Sequence, residues 1–165
     1  MSAVVRPETV DDEQAIETVH LAAFPTSAEA RLVRMLRDDS ACELSYVAEV
    51  DGRPGGHVML SRMQVAGDGR TYRAVGLGPV AVLPEHQRRG IGSALISKVL
   101  QAAEAQGEEL VFVLGDPDYY DRFGFSAQAA APFDSPYAGP HFMAKAFVPV
   151  STGGTAAYAA AFSSL

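Results

Sequence analysis

Residues 84–93, Pro-Glu-His-Gln-Arg-Arg-Gly-Ile-Gly-Ser, set two arginines and two glycines between the apolar run 75–83 and the helix-like stretch 94–105. A loop that leads from a strand into a helix presents first-turn amides with no intrahelical partner. Those amides and the helix dipole attract an anion. Glycines at 90 and 92 would let phosphate oxygens approach the backbone with no Cβ in the way. The chemistry on offer is phosphate binding, against the plainer reading of a strand-to-helix turn with solvated arginines. Two other phosphate loops are absent. No G-x-x-x-x-G-K-[ST] occurs, and the dinucleotide fingerprint lacks its third small residue because position 95 is Leu.

Other reactive side chains are sparse. His20, His57, His86 and His141 are scattered without metal-ligand spacing, so no metal is expected. Cys42 is the single cysteine; it cannot close an internal disulfide and reads as a lone buried thiol.

The elements that must position the loop follow from periodicity. A short strand is expected at 3–6, then a helix capped by Thr9 with Ile16, Val19, Ala23 and Phe24 at helical spacing, broken by Pro25. Thr-Ser-Ala-Glu at 26–29 has the capping-box form, with Thr26 at the cap and Glu29 at the third position. It opens a second helix with Ala28, Leu32, Met35 and Leu36 on one face. Residues 46–63 read as a hairpin, and the Gly-Asp-Gly turn at 67–69 starts a long strand at 71–83. The helix after the glycine loop buries Ile91, Leu95, Ile96, Val99 and Leu100. Leu-Val-Phe-Val-Leu at 110–114 suits a strand buried on both faces. Asp116 then caps a short helix with Pro117 at its first position. Phe-Val-Pro-Val at 147–150 is expected at the end of a last strand.

This order is α/β with an antiparallel N-terminal half. The segment 71–114 is a strand–helix–strand crossover, which implies a parallel pair at the centre of the sheet. Pro79 cannot donate to a ladder, so it marks a bulge or a place where pairing stops. If the strands part after residue 78, a cleft opens, and the free edge at 80–82 can hydrogen-bond an extended ligand as though it were a strand. A ligand with an amide-rich arm and a pyrophosphate fits the edge and the loop together.

Composition bounds the rest. The 165 residues suit one domain, 1–165, with a core at about 3–148 and a tail at 149–165. A hydrophobic share of 48% suffices to bury a core, and a net charge of −7 argues against a general binder of nucleic acid or anionic membrane. No apolar stretch approaches the roughly 20 residues of a membrane span, and the first residues lack a signal peptide's apolar core. A cytoplasmic location is the expectation.

With these residues in place, the chain resembles the GNAT superfamily of N-acetyltransferases. The pattern [QR]-x-x-G-x-[GA] stands here as Gln87-Arg88-Arg89-Gly90-Ile91-Gly92. A second segment of the family stands as Tyr119-Tyr120-Asp121-Arg122-Phe123-Gly124-Phe125. The resemblance covers about residues 3–148. It implies a mixed sheet of about seven strands, its parallel central pair split into a V-shaped cleft, flanked by about four helices. It implies acetyl-CoA as cosubstrate and a primary amine, of a small molecule or a protein, as acceptor, in a monomer or homodimer. Val80 and Val82 would offer backbone groups to the pantetheine arm, with Ala81 facing away between them. Gln87 opens the loop motif, and backbone amides from Arg88 through Arg89, Gly90, Ile91 and Gly92 to Ser93 would hold the pyrophosphate. Tyr120 matches the family's general acid, which protonates the CoA thiolate; Tyr119, about 100° further round the helix, is expected to matter less.

Departures from the family are visible. Leu-Gly-Asp-Pro-Asp at 114–118 lacks the Asn that many members use on the CoA arm, and the strand at 71–83 carries no acidic base. Glu29, Glu49, His57 or a water relay remain as bases. The tail at 152–162 could dock on the domain or on a second subunit. Two other readings stay open: a non-catalytic acyl-CoA-binding or partner-binding module of the same fold, and an enzyme for another phosphate-bearing cofactor.

Overall fold

A computed structural model of the chain describes residues 3–150 and 153–164. Strands β1 (Ala3–Pro7), β2 (Cys42–Val50), β3 (Arg53–Gly67) and β4 (Arg70–Val82) form an antiparallel run in that order. The Asp51-Gly52 and Asp68-Gly69 turns join its two hairpins, with positive φ at both residues of each turn. That mirror-image geometry matches the twist of the strands it connects. Helices α1 (Glu13–Ala23) and α2 (Ala28–Asp38) fill the connection between β1 and β2. Helix α3 (Ile91–Ala105) then carries the chain to β5 (Leu110–Leu114), which lies parallel to β4. Short helices α4 (Pro117–Tyr120) and α5 (Ala127–Ala130) lead to β6 (Phe133–Asp134) and to β7 (Phe142–Ala146), which is antiparallel to β5.

The expected split is present and begins earlier than the sequence suggests. Strands β4 and β5 pair only at Ala74–Leu110, Val75–Val111 and Gly76–Phe112. Leu77 and Val80 face Leu60 and Val58 of β3, so Gly78 and Pro79 together oppose a single residue. That bulge bends β4, and the missing proline N–H removes a ladder donor at the same place.

The two faces of the sheet are covered differently. Val58, Leu60, Val75, Leu77, Val111 and Val113 pack under the stripe Ile91, Leu95, Ile96 and Val99 of α3. Burial of each such aliphatic contributes about 1.5–3 kcal/mol, so the stripe fixes where the helix begins. On the other face Met59 and Val47 pack under Ile16 of α1 and Leu32, Val33 and Leu36 of α2. Met63, Ala74, Phe112, Phe133 and Phe142 continue that second face, following the two-residue alternation of the strands.

Several sequence expectations are corrected. Ser27, not Thr26, is the N-cap of α2, and it makes no side-chain cap bond. Thr26 Oγ1 accepts from the Ala28 amide at 3.3 Å, while Glu29 Oε1 is buried with no partner among the described residues. The Thr26–Glu29 capping box therefore does not form. The buried face of α2 is Ala30, Leu32, Val33 and Leu36, with Met35 partly buried against the same cluster; packing on α1 and the sheet centres the face away from Ala28. Phe147–Val150 lie beyond β7, which ends at Ala146. The last strand is instead β8 (Gly154–Ala157), in the tail; residue 152 at the start of that stretch lies outside the described residues. β8 pairs with Gln64–Ala66 of β3, where the 15-residue β3 runs past the end of β2, and also with β6. The tail thus extends its own sheet. Cys42 is half-buried, and burial pushes its thiol up to about 11, which makes it unreactive.

Candidate active site

The bend at the end of β4 delivers the chain to the glycine loop. Arg88 (φ 65°) and Gly90 (φ 78°) are left-handed, and Gly90 is the N-cap of α3. The first intrahelical bond of α3 runs from the Ala94 amide to the Gly90 carbonyl. The amides of Ile91, Gly92 and Ser93 take no backbone acceptor among the described residues. A Cβ on Gly92 would meet Tyr119 Oη and Val82 Cγ2 at an ordinary 3.8 Å, so it would add without a clash beside unfilled space. The space is a cavity of about 240 Å³ lined by Val82, His86–Arg88, Gly90–Ser93 and Tyr119. Three free amides at the positive end of a 15-residue helix, facing a cavity, form a cradle for an anion.

The neighbouring strand edge has the polarity the ligand arm requires. The Leu83 amide donates to the Gly55 carbonyl at 2.9 Å, so Leu83 points toward β3. By alternation Ala81 also points toward β3, where it pairs with His57. Val80 and Val82 then turn their peptide groups to the open edge beyond the split. The Gln87 side-chain amide donates to the Val82 carbonyl at 3.0 Å, which ties the loop to that edge. Gln87 is therefore a strut, and it occupies one of the two acceptors expected to face a ligand. Arg88 and Arg89 are exposed at the rim.

Asp116 caps α4 by accepting from the Asp118 amide at 3.0 Å, as expected. The cap starts the helix so that Tyr119 and Tyr120 stand at its end. The Tyr120 ring covers Gly115, where a Cβ would lie 2.6 Å from its Cε2, and packs edge-on against Phe125 at 5.9 Å. Burial, with Tyr119 adding, pushes the Tyr120 phenol up to about 12. Its hydroxyl makes no hydrogen bond among the described residues. A phenol so placed is protonated at neutral pH and free to donate.

Tyr119 joins two elements of the site. Its Oη lies 3.0 Å from Ser93 Oγ, which clips α4 to the anion cradle across 26 residues of sequence. Arg122 stacks on its ring at 4.5 Å and donates to its carbonyl. His86 also lines the cavity and was not singled out.

The three candidate bases separate clearly. Glu49 is held by Arg6 at 3.2 Å, on β2, two strands away from β4. His57 is fully buried in a chain of hydrogen bonds. The Ser45 hydroxyl donates to the Glu8 carboxylate, His57 Nε2 lies 2.7 Å from Ser45 Oγ, and His20 Nε2 lies 2.8 Å from His57 Nδ1. Burial would raise the Glu8 carboxyl, but nearby His57, 3.6 Å away, and hydrogen bonds from Ser45 and Arg37 hold it below the ordinary range. Since a carboxylate only accepts, every proton in the chain points toward Glu8, and both ring nitrogens of His57 are engaged. Burial keeps His57 neutral and, with His57 adding, pulls His20 down to about 3. This chain reads as core structure. Glu29 is left with one buried, unpartnered oxygen. Among the described residues no group of three or more metal-ligating side chains occurs, and no helix is long and apolar enough to cross a membrane.

Known proteins share the sequence pattern and the fold of this chain. Residues 4–127 match the profile of the acetyltransferase (GNAT) domain. The chain is 35% identical over 132 residues to the uncharacterised N-acetyltransferase YjhQ of Escherichia coli K12, spanning 79% of this chain and 71% of that one. The crystal structure of YhbS from Escherichia coli in complex with CoA is similar at a TM-score of 0.89 and 29% identity, covering 98% of this chain and 92% of that one. A GNAT-family acetyltransferase from Brucella melitensis in complex with acetyl-CoA is similar at a TM-score of 0.82 and 35% identity, covering 98% of each chain.

Proposed function

The chain belongs to the GNAT family of acetyl-CoA-dependent acetyltransferases, and from that premise we propose that it acetylates a primary amine by direct attack on the thioester. The observation that carries this reading is the pairing of three free amides at the start of α3 with an open strand edge at the split. CoA and acetyl-CoA, bound by the two structural relatives, have a pyrophosphate for the first and an amide-rich arm for the second.

Each part of the site has a task. The amides of Ile91, Gly92 and Ser93 hold the pyrophosphate, with those of Arg88–Gly90 at the loop's approach. Tyr119 and Gln87 keep that loop in register with the strand. The peptide groups of Val80 and Val82 align the pantetheine arm, and Ala81 faces β3. Backbone amides at the split polarise the thioester carbonyl and stabilise the oxyanion as the nitrogen attacks. Alignment of the two reactants in the cleft supplies the entropic part of the acceleration. Tyr120 donates its proton to the departing sulfur. The chain supplies no carboxylate base on β4, so the amine sheds its proton to water.

The reading is tested by thiol release from acetyl-CoA across simple amines, polyamines, amino acids and peptides. Release that depends on both acetyl-CoA and one class of amine is expected. Tight CoA binding with no release for any amine would instead favour a binding module of the same fold.

A further inference from the structure

Tyr158 stands at the split on the face opposite Tyr120. A Cβ at Gly76 would meet Tyr158 Cε1 at 2.6 Å and Cδ1 at 2.9 Å, so the ring fills the space above that glycine. Gly76 is the last residue of β4 paired with β5, which puts the ring at the apex of the cleft. The same Cβ would meet Met63 Sδ at 3.2 Å, and Met63 belongs to the second face of the sheet. Tyr120 packs with Phe123 and Phe125 in the cluster under α3, on the first face. The two tyrosines therefore flank the split from opposite sides.

Two buried hydroxyls near this point lack partners. Ser61 is the cross-strand neighbour of Gly76 and is fully buried; its Oγ makes no hydrogen bond among the described residues. Tyr158 Oη is buried and equally unpartnered. Native proteins leave few buried polar atoms unpaired, and each such atom calls for an explanation, a role in the chemistry being one. The surround is aromatic. The Tyr158 ring packs on Tyr137 at 5.5 Å, Phe162 at 4.9 Å and Phe142 at 6.3 Å. Burial, together with the phenols of Tyr137 and Tyr120, holds its hydroxyl above the ordinary phenol range.

We propose that Tyr158 and Ser61 are the acceptor end of the site, where the Tyr158 hydroxyl accepts a hydrogen bond from the attacking amine and aims its lone pair into the split. The surrounding rings suit a monoamine on a neutral, apolar body. A polyamine or amino acid would bring a second charge into this aromatic surround, where desolvation disfavours it. This assignment rests on the acetyl-transfer reading given above. Its chemistry also accounts for the missing base. An ammonium entering these aromatic surroundings gives up its proton more readily, because desolvation disfavours the charged form. The neutral nitrogen then attacks, the C–N bond forms and the C–S bond breaks. Tyr120 protonates the sulfur, and the proton shed by the nitrogen returns to the phenolate through water.

The test begins with calorimetry of CoA on the full chain, since no binding there would overturn acetyl transfer itself rather than this assignment. Thiol release is then measured with phenethylamine, spermidine and a lysine-containing peptide. Phenethylamine is expected to give kcat/KM at least tenfold above the other two. Tyr158→Phe keeps the ring and should raise the phenethylamine KM by about tenfold, the size of one hydrogen bond, with a smaller effect on kcat and none on CoA affinity. Ser61→Ala should raise the same KM less. A preference for spermidine or the peptide, or CoA binding without turnover of any of the three, would overturn the substrate class. An unchanged KM in Tyr158→Phe with a higher Tm would show an orphan hydroxyl of the core and overturn the role.

Discussion

Tyr120→Phe is expected to lower turnover by roughly 10²–10⁴-fold, the usual share of a positioned acid. The substitution removes one oxygen and keeps the ring over Gly115 and against Phe125. Thermal stability and acetyl-CoA affinity should therefore change little. The hydroxyl has no partner to lose among the described residues, so no buried group is orphaned by its removal. Tyr119→Phe should behave differently, because its hydroxyl meets Ser93 at 3.0 Å. Its loss should loosen CoA binding more than it slows the chemical step. Steady-state kinetics with any productive amine separates the two. Wild-type turnover in Tyr120→Phe would make that tyrosine a packing residue and leave protonation of the sulfur to water.

Gly92→Val is expected to remove CoA binding while the protein stays folded. The new Cβ meets nothing closer than 3.8 Å, so the fold can accept it. Glycine inside a helix costs about 1 kcal/mol relative to alanine, so helix propensity does not oppose the change. The branched side chain instead projects into the cavity where the pyrophosphate would sit. Arg88→Ala and Arg89→Ala should each cost far less, because exposed charges are screened and contribute about 0–1 kcal/mol. Calorimetry on the three variants, with circular dichroism to check folding, gives the ranking. Fatal arginine changes beside a harmless Gly92→Val would contradict an amide cradle.

The glycine loop, the crossover and the split were legible because each is written in local chemistry. Gly90 and Gly92 mark the loop, Pro79 marks the break, and the apolar run at 110–114 marks a buried strand. The contacts that complete the site were not legible, because they join distant residues whose types are ordinary. Tyr119 and Ser93 are 26 positions apart. In the core, away from the site, His20 and His57 are likewise 37 apart, and nothing in either neighbourhood announces a shared hydrogen bond. β8 escaped because Gly-Thr-Ala-Ala has little strand propensity; it pairs only because β3 outruns β2 and leaves an edge to cover. The Thr26–Glu29 box failed for a related reason. α2 is oriented by its packing on α1 and the sheet, and tertiary contact overrode the local capping signal.

The most direct test of acetyl-CoA in this cleft is calorimetric titration of the purified chain with CoA, paired with a thermal melt. One CoA per chain is expected, lost in Gly92→Val and retained in Tyr120→Phe. Ligand at about a hundred times its Kd should stabilise the native state by about 2.7 kcal/mol, which for a chain of this size raises Tm by roughly 5–10 °C. No heat and no shift at millimolar CoA would contradict both the cradle at Ile91–Ser93 and the transfer chemistry built on it.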